Sequence, residues 1–92
     1  MADLHASMLR LVREGADMTM RQACILIGCR DTVRTIRDLA QEMNVGKPAI
    51  TRGTDRLEEL GLLRRKPDPA DRRSILIEIT AAGRKTADRL KG

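Results

Sequence analysis

The segment that decides the fold is residues 36–60, IRDLAQEMNVGKPAITRGTDRLEEL. Thr35 and Asp38, at its start, form the capping-box pattern that begins a helix. The Asn-Val-Gly in its middle predicts a tight turn, because Asn and Gly tolerate the backbone angles that such turns need. Pro48 follows, and proline is acceptable in the first turn of a helix, where amides have no intrahelical partner. The segment therefore predicts two helices joined by a three-residue turn.

A β-hairpin is predicted directly after these helices. Residues 62–66 are typical of a short strand, and in 74–79 isoleucines alternate with other residues at a period of two. The connecting segment, 67–72, contains two prolines and several charged residues. We expect this segment to form a stiff, charged hairpin tip.

The other elements complete a small domain. In chain order the predicted elements are helices over 2–14, 20–30, 36–43 and 47–60, strands over 62–66 and 74–79, and a helix over 80–90, with room for a minimal strand at Val33 and Arg34. Gly15 is expected to end the first helix, and a capping box of Thr19 and Gln22 to begin the second. The fold class is mainly α with a small β-hairpin (α+β), in a winged helix-turn-helix arrangement. We expect residues 1–92 to form one domain of this kind.

The second helix contains the longest apolar run of the chain, Ala-Cys-Ile-Leu-Ile-Gly-Cys at 23–29. It is apolar nearly all round, which predicts a central buried helix. Cys24 and Cys29 are accordingly expected to pack in the core as reduced thiols. No run approaches the length of a membrane span, so we expect a cytoplasmic protein.

The charge distribution favours an anionic partner. The net charge is +5, and the whole excess lies in residues 47–92, which hold twelve basic and seven acidic side chains. The chain has no Phe, Tyr or Trp, whereas readers of single-stranded nucleic acid usually stack bases on aromatic rings. Duplex DNA, which is recognised by charge and by base edges, is therefore the expected partner.

The candidate DNA-binding residues lie in two places. On the second helix of the pair the outward face is basic and hydroxylic in its first half and acidic in its second, so we expect it to dock by its N-terminal half. The candidates there are Lys47, Pro48, Thr51 and Arg52, with Gly46, Arg56 and Arg65 as weaker ones. At the hairpin tip the candidates are Arg72 and Arg73, because arginine suits the narrow minor groove. We expect Asp71 to brace one of these two arginines and leave the other free.

A family resemblance supports this interpretation. The stretch 47–65, KPAITRGTDRLEELGLLRR, resembles the recognition helix and following strand of the MarR family of transcription regulators. The hairpin also matches that family's spacing of Asp-x-Arg, five residues, then aliphatic-Thr-x-x-Gly, here Asp71, Arg73, Ile79, Thr80 and Gly83. The resemblance covers about residues 19–83 and implies a bacterial, nucleoid-associated DNA-binding regulator. It implies major-groove positions for Lys47, Thr51 and Arg52, and a minor-groove position for Arg73.

The sequence departs from the family in length. Its members are longer, with terminal helices that form a dimer, whereas this sequence stops at Gly92. We therefore expect a reduced dimer interface, and the sequence gives little support for a small-molecule effector. A homodimer through the terminal helices is still expected, because useful affinity needs two half-sites. The apolar stripe Leu4, Met8 and Leu11 is the candidate surface, together with Ala87 and Leu90.

Other functional classes are less well supported by the sequence. Paired carboxylates at a motif spacing, a phosphate-binding glycine loop and a metal-ligand cluster are all missing from it, so we expect no enzyme, no metal site and no cofactor. The alternative is a winged-helix module that binds a protein, as an adaptor or antirepressor, and does not itself read DNA. Steep salt dependence of binding would favour DNA over such an interface.

Overall fold

The structure, a computed structural model, describes residues 4–13 and 18–91. Five helices and three strands are found in these ranges: α1 (Leu4–Arg13), α2 (Met20–Gly28), β1 (Arg34–Thr35), α3 (Ile36–Met43), α4 (Lys47–Glu59), β2 (Leu63–Asp68), β3 (Asp71–Ile79) and α5 (Ala81–Lys91). The strands form one antiparallel sheet in the order β1-β3-β2. The winged helix-turn-helix fold is thus confirmed. The predicted helix stop at Gly15 lies outside the described residues.

The local signals at the helix starts are confirmed. Thr19 and Gln22 form a reciprocal capping box at α2, and Thr35 and Asp38 form another at α3. Asn44 ends α3 in the left-handed conformation, with φ of 55°. This conformation turns the chain towards α4, as the Asn-Val-Gly sequence predicts.

The hairpin is longer than predicted. Its strands pair as far as Asp68 and Asp71, which leaves only Pro69 and Ala70 as the tip. Pro67 lies within β2 and faces Ile75 across the ladder. A proline is tolerated there because β2 is an edge strand, so one side of its backbone needs no ladder partner.

The core lies between the helices and one face of the sheet. Its buried members among the described side chains come from α2, α3, α4, β2, β3 and α5, and include Ile25, Leu26, Leu39, Ile50, Leu57, Leu63 and Ile77. Gly53 allows α2 and α4 to approach closely, because a Cβ on it would lie 2.7 Å from the Cδ1 of Ile25. The glycine in the middle of α4 therefore has a packing reason that offsets its poor helix propensity.

The prediction of a central buried helix holds for one face of α2 and is wrong for the other. Ile25, Leu26 and Cys29 are buried, but Met20 is 77% exposed and Cys24 is also exposed. In the described part of the chain α2 packs against α4 and α5, and both lie on its buried side. The expectation that Cys24 packs in the core is therefore also wrong.

None of the described helices is long and apolar enough to cross a membrane. The terminal helices α1 and α5 pack against each other. Ala87 and Leu90 of α5 are buried within the chain, so they contribute to the core rather than to an outer surface.

Candidate nucleic-acid interface

Helix α4 has the outward face that the sequence predicts, and its inward face packs in the core. Ile50, Gly53, Thr54 and Leu57 are buried. The Thr54 hydroxyl lies 3.0 Å from the carbonyl oxygens of both Ile50 and Thr51, so this polar group is satisfied inside the core. The outer face of the first two turns carries the exposed Lys47, Pro48 and Arg52 and the half-buried Thr51.

The start of α4 is open to an anion. Gly46 is its N-cap residue and offers no side-chain hydrogen bond to the first turn. Helix N-termini attract anions through their free amides and the helix dipole. The ammonium group of Lys47 adds a full positive charge at the same place.

The acidic second half of α4 holds strand β2 in place. The Arg65 guanidinium lies 2.7 Å from the Asp55 carboxylate and 2.8 Å from the Glu58 carboxylate. The Arg65 amide also donates to Glu58, at 3.2 Å. Hydrogen bonds from the guanidinium and then from the amide hold the pKa of the Glu58 carboxyl below its ordinary value. Arg65, a weaker DNA-binding candidate from the sequence, is thus engaged inside the protein.

Arg56, another weaker candidate, is less firmly held. Its guanidinium lies 3.3 Å from the Glu59 carboxylate, one helical turn away, and both side chains are exposed. Exposed pairs of this kind contribute about 0–1 kcal/mol to stability.

The hairpin tip is braced by carboxylates that bind its backbone and a hydroxyl. Asp71 accepts hydrogen bonds from the Arg73 amide at 3.0 Å and from the Ser74 hydroxyl at 3.2 Å. Asp68 accepts one from the Ala70 amide at 2.9 Å. The aspartates therefore fix the shape of the turn, as short Asx turns do.

Arg72 and Arg73, at the start of β3 beside the tip, are both exposed, and neither guanidinium has a hydrogen bond or ion pair with the residues the structure describes. The expected ion pair between Asp71 and one arginine is therefore wrong. Asp71 is already engaged by the amide of Arg73 and the hydroxyl of Ser74, so its oxygens stabilise the turn instead. Arg72 and Arg73 both remain available to an outside anion.

The base of the hairpin is tied to α5. The Thr80 hydroxyl donates to the Gly61 carbonyl at 2.7 Å and accepts from the Gly83 amide at 3.0 Å. The Thr80 amide donates to the Leu62 carbonyl at 3.1 Å. A Cβ on Gly83 would lie only 2.0 Å from that same carbonyl oxygen. The Thr-x-x-Gly spacing thus closes the hairpin and starts α5.

A cavity of about 170 Å³ separates the first turns of α4 from strand β3. Its lining includes Lys47 and Thr51 of α4, Arg73 of β3, and Arg37 from the first turn of α3. Three positive charges from three elements therefore meet at one opening. Of the candidates from the sequence, Lys47, Thr51 and Arg73 thus lie around one cavity, whereas Pro48, Arg52 and Arg72 are not among its lining residues.

Arg37 is the residue that the sequence analysis missed. It is exposed and also lines a second, more open depression beside Gly46 and Lys47. Arg37 lies four residues before Gln41 and three before Ala40 on α3, and these residues line the same depression as Gly46 and Lys47, so helical periodicity is the signal that places Arg37 on this side of α3. Its charge alone carries no such information.

Comparison with known proteins agrees with the winged helix-turn-helix fold of the structure. The model of the MarR family matches residues 16–74. No curated protein sequence matches the chain significantly. Among solved structures, the transcriptional regulator BldR from Sulfolobus solfataricus is similar, with 33% identity and a TM-score of 0.78 over 82% of this chain.

Two further structures cover more of the chain. The transcriptional regulator Tm0710 from Thermotoga maritima has 28% identity, and the YusO protein from Bacillus subtilis has 25%; each covers 96% of the chain with a TM-score of 0.81. The chain spans 54% of the length of BldR and 62% of the other two proteins.

Proposed function

The chain belongs to the MarR family of transcription regulators, and on this premise we propose that it binds duplex DNA in a sequence-specific manner. The observation that carries the proposal is the meeting of Arg37, Lys47 and Arg73 around one cavity between α4 and the hairpin. The exposed Arg52 and Arg72 extend this basic surface on either side.

Helix α4 enters the major groove by its N-terminal half. Gly46, Lys47 and Pro48 approach the backbone phosphates, where the open helix start favours negative charge. Thr51 and Arg52 face the base edges, and an arginine can bind guanine with two hydrogen bonds. The second half of α4 stays away from the phosphates because it carries Asp55, Glu58 and Glu59.

The hairpin acts as the wing at the minor groove. Arg72 and Arg73 are the contacts, since the narrow minor groove concentrates negative potential. Asp71 contributes indirectly by fixing the turn that presents them. Arg65 is assigned a supporting role, because its guanidinium is held between Asp55 and Glu58.

Titration of a labelled random-sequence duplex at two salt concentrations, followed by fluorescence anisotropy, tests this function. The logarithm of the binding constant should fall with the logarithm of salt concentration, with a slope of about −0.9 per phosphate contact. Replacing both Arg72 and Arg73 by Ala should weaken binding to most sequences and make that slope less steep.

The matched control is Arg84→Ala, which removes an exposed arginine from α5, away from the proposed surface. It should leave the slope unchanged. Weak, salt-independent binding by the unaltered chain would contradict the proposal and would favour the alternative, a protein-binding adaptor or antirepressor module.

We further propose a homodimer, whose two copies of α4 would bind two half-sites of the DNA about one helical turn apart. Met8 and Leu9 of α1 are 45% and 38% exposed, so they offer apolar surface to a second copy. The side chains of Leu4 and Leu11, from the predicted stripe, lie outside the described part of the structure. A regulator of this kind works in the cytoplasm, on the nucleoid.

Light scattering on the protein without DNA tests the dimer. Twice the monomer mass is expected, and Met8→Glu combined with Leu9→Glu should reduce it to the monomer mass while the helical circular-dichroism signal is kept. A monomer mass for the unaltered chain at every concentration would refute the dimer.

A further inference from the structure

Strand β2 forms one edge of the sheet, because the strand order is β1-β3-β2. The backbone groups on its outer side therefore have no neighbouring strand within the described ranges. Such an edge is a ready-made surface for another strand, and natural proteins block their edges to prevent pairing. With six residues, β2 is long enough to form a regular ladder with a second strand.

The outer amide in the middle of β2 is bound by a side chain of α4. The Arg65 amide donates to the Glu58 carboxylate at 3.2 Å, so it points away from β3 and out along the free edge. The same carboxylate lies 2.8 Å from the Arg65 guanidinium. Asp55 also contacts this guanidinium, at 2.7 Å. Of these two carboxylates, only Glu58 binds the amide.

A proline and two cations lie on the same strand. Backbone directions alternate along a strand, so the next outward position after Arg65 is Pro67, which has no amide hydrogen to donate. Arg64 and Lys66 are exposed, and they would meet like charges in a paired copy of β2. A proline, charged side chains and a covering group are the means by which natural sheets avoid edge-to-edge pairing.

Two copies of β2 are nevertheless complementary in the antiparallel direction. With a two-fold axis beside Arg65, the amide and carbonyl of this residue pair reciprocally with those of the other copy. The Leu63 amide of each copy then meets the Pro67 carbonyl of the other, so the proline removes only part of the ladder. In the structure the donor at the centre of this arrangement is occupied by Glu58.

We propose that the outer edge of β2 is a latent strand-pairing surface for a second copy of this chain, and that Glu58 keeps it closed by binding the Arg65 amide. This role differs from the ion pair with the Arg65 guanidinium, because it needs an acceptor at the amide and not a charge. It also depends neither on DNA binding nor on the dimer through α1.

Three variants of the full chain separate these two roles of Glu58. Glu58→Ala removes both the acceptor and the charge, whereas Glu58→Gln removes the charge and keeps an oxygen that can accept from the amide. Asp55→Ala is the matched control, since it removes the other carboxylate partner of Arg65 and leaves the amide bound.

Light scattering at high protein concentration measures the association of each variant. The salt concentration is about 1 M, where the screening length falls to about 3 Å and the repulsion between the cations of two β2 strands is suppressed. Glu58→Ala should reach at least about twice the mass of the unaltered chain under the same conditions, because one chain pairs with another. Glu58→Gln and Asp55→Ala should keep the mass of the unaltered chain.

Amide hydrogen exchange followed by ¹H–¹⁵N NMR locates the contact. In dilute Glu58→Ala the Arg65 amide should exchange about tenfold faster than in the unaltered chain, the equivalent of one lost hydrogen bond. On concentration its protection should return, and the amide shifts of β2 should change with it.

A Glu58→Ala protein with the mass of the unaltered chain at every concentration would overturn the proposal. An increase in mass without a concentration-dependent change at the Arg65 amide would also overturn it, because the copies would then meet elsewhere. Equal association of Glu58→Gln would refute the role of the acceptor. Should Glu58→Ala lose its helical signal, Glu58→Met replaces it with the same expected results, because methionine is a good helix former without an oxygen acceptor.

Discussion

Replacing Gly83 by Ala should destabilise the protein, although alanine is the better helix former. Gly83 is buried in the first turn of α5, where its amide donates to the Thr80 hydroxyl. A Cβ at this position would lie 2.0 Å from the Leu62 carbonyl oxygen and 2.8 Å from Cγ1 of Ile79. The carbonyl cannot rotate away, because it accepts the Thr80 amide at the base of the hairpin.

Two opposing effects set the size of the change. Alanine in place of glycine within a helix gains up to about 1 kcal/mol. Forcing an extra methyl group into a packed site costs about 1–3 kcal/mol, and a contact with fixed backbone places the cost at the upper end. The free energy of unfolding should therefore fall by about 2 kcal/mol.

Urea unfolding followed by far-UV circular dichroism measures this change, since the chain has no Tyr or Trp for intrinsic fluorescence. The matched control is Gly28→Ala at the end of α2, where the nearest heavy atom to the new Cβ, on Leu39, lies 3.5 Å away. That variant should be unchanged or more stable by up to about 1 kcal/mol. A Gly83→Ala protein as stable as the unaltered chain would refute the steric argument.

Three further predictions concern Glu58, the two cysteines and Arg52. Glu58→Gln should lower the free energy of unfolding at neutral pH, and this loss should shrink in acid below about pH 4. Arg65 depresses the Glu58 pKa, so the pair stabilises the fold only while Glu58 is ionised. A loss of the same size at neutral and acid pH would contradict this. Cys24 is exposed and should react with a thiol reagent in the folded protein. Cys29 should react only after unfolding, because burial raises its pKa to about 11. Reaction of both thiols in the folded protein would contradict this prediction. Arg52→Ala should lose roughly 1–3 kcal/mol of the discrimination between base pairs at one position of the duplex. Competition with base-substituted duplexes measures this loss. Unchanged discrimination would show that Arg52 does not contact a base.

The sequence predicts those parts of the fold that depend on neighbours three or four residues apart. The bounds of α3, Ile36–Met43, are predicted to the residue, because a capping box and a left-handed Asn44 are local interactions. The buried face of α4 follows in the same way from helical periodicity. The Thr-x-x-Gly spacing marks a helix start, but its contact with the Leu62 carbonyl becomes visible only when the hairpin is folded.

The sequence does not predict what depends on which elements become neighbours. The apolar composition of α2 gives no indication that its Met20 face stays uncovered, because burial is set by the helices that pack against it. Arg65 belongs to a basic run in the sequence, and its pairing with Asp55 and Glu58 requires β2 to fold back along α4. Arg37 is an isolated basic residue in the sequence, and only the packing of α3 beside α4 and the hairpin places it at the same cavity as Lys47 and Arg73.

Some basic side chains of this protein pair with its own carboxylates and hold the fold together, whereas others have no such partner among the described residues. Arg65 has carboxylate partners on α4, and Lys66 pairs with Glu78 within the sheet at 2.8 Å. A cation that is already paired has less to gain from a phosphate, because its charge is partly compensated. These paired cations instead join the hairpin to α4 and connect its strands.

This division has a consequence for binding. Because Arg65 ties β2 to the acidic half of α4, the backbone segments that carry Lys47, Arg72 and Arg73, which have no ion pair within the described ranges, are held in a fixed relation. Under the proposed function, association with DNA then loses less conformational freedom than it would with a mobile hairpin, and more of the contact energy appears as affinity. In that proposal the acidic half of α4, which by itself would repel DNA, favours binding by orienting the basic surface.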